Sequence, residues 1–362
     1  AYILAIMDSP EIVHPRLEAV VTVDEEIGML GAEVIDLSML KGHKMLNIDS
    51  DVEGHFLTSC AGGMTVDTVI PVTWQKQQGY GVGLTVTGLE GGHSGSEIDK
   101  EHANANILMG RVLKYLSDRM ELAVVSLAGG LKDNAIPREC EAELVIPEEK
   151  KVELLNYITE LEKIFKKEYA VSDPAVCIEI KEDGAGEYDV LSYSSMTKVI
   201  FYLRNVPNGV QHMSMVMPGL VETSLNTGIM KLTTDGLELT ASVRSSVSTR
   251  KEELKDKLEY MAEFLGGEIS VSGDYPAWEY RAKSDIREGI SAVYEELFHE
   301  EPVFEAIHAG LECGILSGKI ADLDCVSFGP NNFDIHTPKE RLSISSTEKV
   351  WKLIVEFLKR CK

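Results

Sequence analysis

Two glutamates stand side by side in the stretch TVDEEIGMLGA, residues 22–32, directly after the apolar run LEAVVTV. Adjacent carboxylates repel one another, and a charge withdrawn from water needs a partner. Two arrangements would satisfy Glu25 and Glu26. The plainer one is the first turn of a helix, where acidic side chains suit the positive end of the dipole. The other is a metal site: one carboxylate binds a divalent cation, and its neighbour takes a proton from a water held there. The cation then supplies the positive charge that lets both glutamates ionise.

Such a site needs further ligands. Asp49, in NIDSDVEG, lies 23 residues after Glu26, at the end of the next apolar segment. Asp51 and Glu53 nearby read as solvated loop acids. Of the nine histidines, His336 in FDIHTPKE and His308 in IHAGLECG stand near expected strand ends. A single histidine is more often structural or a surface group than a ligand. The segment GLEGGHSG surrounds His93 and Ser94 with four glycines. It reads either as a plain turn or as a loop able to approach a ligand closely. It contains no G-x-S-x-G nucleophile elbow.

The elements that must position these residues follow from the apolar patterning. Residues 17–23 (LEAVVTV) read as a strand, with a helix pattern running on to about Leu40, and KMLNID (44–49) as a second strand. Strands alternating with helices indicate a mostly parallel sheet, with sites just beyond the carboxyl ends of its strands. Glu25, Glu26 and Asp49 fall at such ends. The texture then changes. A strand at 82–87, a helix at 103–116, strands at 122–127 and through ECEAELVIP, and an amphipathic helix at 151–168 follow one another. A hairpin turning at Asp235-Gly236 leads into the helix KEELKDKLEYMAEFL, which stops at Gly266 and Gly267. These elements point to an α+β insertion. The α/β texture returns with a helix at 286–299, the strand DCVSFG and a last helix, for which Ser345 and Glu348 could form a capping box. The expected class is α/β: a mostly parallel-sheet catalytic domain in two pieces, 1–69 and 276–362, with an inserted α+β lid domain at 70–275.

Composition narrows the function. The 362 residues carry 59 acidic and 35 basic side chains, a formal charge of −24, which repels phosphate backbones and makes nucleic acid an unsuitable partner. The longest apolar runs fall far short of a membrane span. Six scattered cysteines without a CxxC pair argue against a disulfide framework and against a zinc finger, and suit a reducing cytoplasm. The chain opens on Ala1, and AYILAIMDS reads like the tail of a helix begun earlier, so an N-terminal portion of the natural protein is expected to be missing.

Eight segments, in order, carry a resemblance: TVDEEIGMLGA, NIDSDVEG, CAGG, GLEGGHSG, NAIPRE, VETSLN, HAGLECG and the His336 loop. Together they resemble the aminoacyl-histidine dipeptidases (Xaa-His dipeptidases) of the M20 metallopeptidases, along essentially the whole chain. The resemblance implies a site of two zinc ions, with Mn2+ or Co2+ as possible substitutes. It makes Glu25 the general base, Glu26 and His336 ligands of one zinc, and Asp49 a ligand of the other. It implies that His93 is a lid histidine that stabilises the oxyanion from across a homodimer, and that Arg244, in ASVRSS, clamps the substrate carboxylate. Asn226, Thr223 and Asn134 are further candidates for substrate contacts, and His308 and Glu312 for the pocket that meets the substrate's free amine. In one respect the sequence departs from the family. None of its histidines is followed by x-Asp, and the bridging aspartate also lacks a counterpart, so two ligands are absent from these 362 residues. The chain by itself is therefore expected to bind metal poorly and to hydrolyse dipeptides feebly. Two other readings stand beside the dipeptidase: another M20-like amidohydrolase, such as a deacylase or carboxypeptidase, and a metal-free binding protein of the same fold.

Overall fold

The computed structural model describes residues 1–25, 28–335 and 337–361. Glu26 and His336, both expected as metal ligands, lie outside the described residues. The chain divides into two compact units, one formed by residues 1–62 and 275–362 and the other by residues 63–274.

The first unit is built on a four-stranded sheet in the order Lys44–Asn47, Asp324–Ser327, His55–Cys60, Val303–Ile307. The first two strands pair parallel, as do the last two, and the two pairs meet antiparallel where Ser327 lies opposite Leu57. The helices Asp285–Phe298 and Ile344–Arg360 share a core with this sheet. Val350, Leu353, Ile354, Phe357 and Leu358 recur at helical spacing and meet Ile286, Ile290, Val293, Phe56, Val326 and Phe328. Burying each such side chain contributes about 1.5–3 kcal/mol. A second cluster holds Leu37, Trp278 and Leu316 with Cys60, Cys313 and Cys325.

Two local expectations are corrected here. Residues 17–23 join no sheet among the described residues, with Leu17, Val21 and Val23 exposed, and the helix that follows covers only Leu30–Val34. An apolar alternation becomes a strand only where a neighbouring backbone completes its hydrogen bonds. The cap of the last helix is Ser343, whose hydroxyl accepts from the Ser346 N–H; Glu348 instead pairs with Lys352 one turn on.

The second unit is a nine-stranded sheet among the described residues. Its order is Glu268–Tyr275, Gly62–Pro71, Gly236–Ser245, Val221–Leu232, Ala123–Gly129, Cys140–Ile146, Trp74–Thr87, Cys177–Leu191, with Gly209–Met213 also paired to Val221–Leu232. The helices Ala105–Ser117, Lys151–Glu168, Tyr193–Asn205 and Ser248–Phe264 pack their apolar stripes into its core. Leu154, Ile158, Leu161 and Phe165 form one such stripe, as the periodicity of residues 151–168 requires. The Val221–Leu232 and Gly236–Ser245 strands pair antiparallel on either side of the turn at Asp235. A mixed sheet in the first unit and antiparallel pairing in the second make the chain a mixed α/β protein. Among the described residues no helix is long and apolar enough to cross a membrane.

Candidate functional site

In the first unit, Glu25 sits half-buried in a tight turn, where its carbonyl accepts from the Gly28 and Met29 N–H groups at 3.1 and 2.8 Å. The turn closes because Gly31 donates to the Val23 carbonyl at 3.0 Å. A Cβ on residue 31 would stand 2.4 Å from the Val23 oxygen and 2.5 Å from its nitrogen, so only glycine allows this approach. The Thr22 hydroxyl donates to the Glu312 carboxylate, tying the glutamate-pair segment to HAGLECG across 290 residues of sequence. Asp49 is exposed two residues beyond the Lys44–Asn47 strand, at its carboxyl end. The Cys313 thiol is raised well above its usual range, first by burial, then by Cys325 and Cys60, and also by the charges of Asp49 and Glu312. Asp49 and Glu312 thus act on one point in the fold. His308 is buried just after the Val303–Ile307 strand.

The donor chemistry suits a divalent ion bound by oxygen and nitrogen. Glu26, Asp49 and His336 offer two carboxylates and an imidazole. The buried cysteines of this unit offer no thiolate, since burial keeps Cys60 up at about 11 and Cys325 at about 12. Among the described residues alone, no group of three or more His, Cys, Asp or Glu is arranged to hold a metal ion.

In the second unit, His93 lies in the short strand Gly92–His93, paired antiparallel with Ala135–Ile136. Its Nδ1 accepts from the Gly95 and Ser96 backbone N–H groups at 3.2 and 3.1 Å. A nitrogen that accepts from two amides carries no proton, so the neutral ring holds its hydrogen on Nε2. Burial lowers the His93 pKa below its ordinary value, and the Arg244 charge lowers it further, against an opposing pull from Glu97. The arrangement is therefore a neutral imidazole donor with a guanidinium near it. Arg244, half-buried, lies on the Gly236–Ser245 strand opposite Ser224 of the Val221–Leu232 strand.

Glu97, which carried no signal in the sequence beyond standing four residues after His93, holds the loop. Its carboxylate accepts from the His93 N–H at 2.8 Å and pairs with Lys100 at 2.6 Å. The Lys100 hydrogen bond first, and then the His93 amide, bring the Glu97 carboxyl down to about 2. Thr223 is fully buried, its hydroxyl bonded to that of Ser245 at 2.9 Å. Asn134 accepts the Ser94 N–H on its carbonyl at 2.9 Å. Asn226 is buried as well, with its amide donating to the Asp133 and Ala135 carbonyls.

Known proteins share this arrangement of elements. The cytosol non-specific dipeptidase of Escherichia coli (strain K12) is 32% identical over 363 residues, covering 98% of this chain and 74% of that protein. The chain belongs to the aminoacyl-histidine dipeptidases of the M20 metallopeptidases. The crystal structure of the aminoacylhistidine dipeptidase from Vibrio alginolyticus superposes with a TM-score of 0.92 at 33% identity, over 99% of this chain and 74% of that one. Residues 84–173 match the peptidase dimerisation domain. Of the candidate residues, the second unit carries His93, Arg244, Thr223, Asn134 and Asn226, and the first carries Glu25, Asp49, His308 and Glu312.

Proposed function

We propose that this chain provides the machinery for metal-dependent hydrolysis of dipeptides, Xaa-His among them. Glu26, Asp49 and His336 would hold divalent metal, zinc by preference, with Mn2+ or Co2+ as substitutes. When bound, the metal supplies Lewis acidity and charge neutralisation for attack by water on the peptide carbonyl. Glu25 takes the proton of the attacking water and returns it to the leaving amine. His93 donates Nε2–H to the oxygen on which negative charge develops. Arg244 takes the substrate's terminal carboxylate with its forked guanidinium. Asn134 is the candidate contact on that face, and the buried Thr223 and Asn226 support it from within. His308 and Glu312 meet the free amine, for which an acidic side chain is suited. The dimerisation-domain match supports a homodimer; in it the lid histidine would serve the partner's site.

The observation that carries this reading is the preset state of His93: neutral, Nε2-protonated and close to a guanidinium. A donor to an oxyanion needs that tautomer, whereas a general base would need the opposite one. The absence of any His-x-Asp from these 362 residues leaves the donor set short, so turnover by this polypeptide is expected to be far below that of its relatives.

The test is a panel of Xaa-His dipeptides, other dipeptides and N-acylated amino acids, assayed at high enzyme concentration with Zn2+, Mn2+ or Co2+. Metal-dependent cleavage of dipeptides that disappears in Glu25→Gln supports the reading. Preference for acylated amino acids would make the chain a deacylase instead. Cleavage that is indifferent to both chelator and Glu25→Gln would remove the mechanism.

A further inference from the structure

The His93 loop is held from beneath by a buried amide. Asn226 lies on the Val221–Leu232 strand and is 1% exposed. Its Nδ2 donates to the Asp133 carbonyl at 2.8 Å and to the Ala135 carbonyl at 2.9 Å. Its Oδ1 accepts from Asn104 Nδ2 at 3.3 Å. Both donors and one acceptor position are thus committed to protein. The two carbonyls belong to the segment that faces His93: Ala135 lies opposite His93 in the two-stranded ladder, and the carbonyl of Asn134, between them, takes the Ser94 N–H.

The strand beneath is shaped to allow this contact. Its register against Gly236–Ser245 shifts between Thr227 and Ile229, at Gly228. A Cβ on Gly228 would stand 2.4 Å from the Asp133 oxygen, and one on Gly130 would stand 1.8 Å from the Gly228 oxygen. Only two glycines let loop and strand come this close. Asn104 and Asn208 complete the support: Asn104 donates to Asn208 Oδ1 at 3.1 Å, and Asn208 Oδ1 accepts the Thr227 N–H at 2.9 Å. A buried amide with its polar atoms satisfied costs little and fixes geometry. The same amide removed takes the donor from two part-buried carbonyls.

We propose that Asn226 is the positioning residue of the lid histidine: through Asp133 and Ala135 it sets the strand against which Gly92–His93 pairs, and so holds His93 with its proton on Nε2. The proposal deepens the reading of His93 as an oxyanion donor and rests on that reading for its catalytic meaning. The geometry of the histidine itself does not require the chain to hydrolyse anything. Asn226 acts through another residue and needs no contact with substrate.

The test reads the ring directly. With 15N-labelled histidine in the full chain, His93 is expected as a single Nε2–H tautomer. Asn226→Ala and, from the backbone side, Gly228→Ala should shift the His93 Nδ1 resonance and mix in the second tautomer. Val124→Ala, which opens the neighbouring strand's core, should lower stability while leaving the His93 resonances in place. An Asn226→Ala protein that stays folded with unchanged His93 resonances overturns the proposal. Should both loop variants fail to fold, amide exchange in the unaltered protein decides: the Ser94 N–H must exchange at least a hundredfold more slowly than an exposed loop amide, and free exchange there overturns the relay. Absent hydrolysis with an intact Nε2–H ring would count against the dipeptidase reading and leave the positioning role standing.

Discussion

Ser96 donates its backbone N–H to Nδ1 of His93 at 3.1 Å, so the ring proton resides on Nε2. Protonating Nδ1 would expel that bond and its companion from Gly95. The loop therefore opposes the charged imidazolium by geometry, in the same direction as burial and the Arg244 charge. In the folded state the pKa lies below the ordinary histidine value of 6.5, and the unfolded chain takes up the proton first. The contribution of His93 to stability is thus intact above about pH 6.5 and declines as pH falls from there toward the folded value. His93→Gln should flatten this part of the stability profile, measured as thermal midpoint from pH 8 to pH 5.

Glu25→Gln should abolish general-base function while keeping the shape of the turn. The expected loss in kcat is about 10²–10⁴-fold. Metal affinity, read by titration calorimetry, should change little if the neighbouring Glu26 is the ligand proposed above. A variant that loses metal and rate together would make Glu25 a ligand instead.

Arg244→Lys keeps the charge and loses the fork. Monodentate binding of the substrate carboxylate should raise KM about 10-fold or more, with a smaller change in kcat. Steady-state kinetics on a dipeptide and on its C-terminal amide separate the roles: if Arg244 binds the carboxylate, the variant should no longer discriminate strongly between the two.

Gly31→Ala should push the helix Leu30–Val34 off the Val23 backbone, since the added Cβ would meet two backbone atoms that cannot swing aside. A stability loss of about 1–3 kcal/mol is expected by urea unfolding. Any dipeptide turnover should fall with it, because the closed turn carries Glu25, the proposed base.

Elements with a strong local signature were legible in the sequence. The stripe Leu154, Ile158, Leu161, Phe165 reads as a helix because one buried face suffices to define it, and the helix spans Lys151–Glu168. The Asp235-Gly236 turn marks its hairpin for similar reasons. Residues 17–23 misled because their alternation has no ladder among the described residues to join, which is a property of neighbours in space rather than of the segment. Ser345 stands three residues before Glu348, the spacing of a capping box, so side-chain chemistry alone does not point to Ser343, which is the cap. At the candidate site, His93 stood out through its glycines. The amides that set its tautomer are backbone groups, which no side-chain pattern reveals, and the network beneath joins Asn104 to Asn208 and Asn226 across more than a hundred positions.

The three sequestered thiols beside the Asp49 strand have a practical corollary. Cys60, Cys313 and Cys325 are enclosed and protonated at neutral pH, whereas Cys177 and Cys361 are half-exposed. An alkylating reagent should therefore label Cys177 and Cys361 early and reach the enclosed trio only when the first unit opens. The rate at which that trio acquires label, followed peptide by peptide in a mass spectrometer, is a clock for opening events in the half of the molecule that carries the glutamate pair.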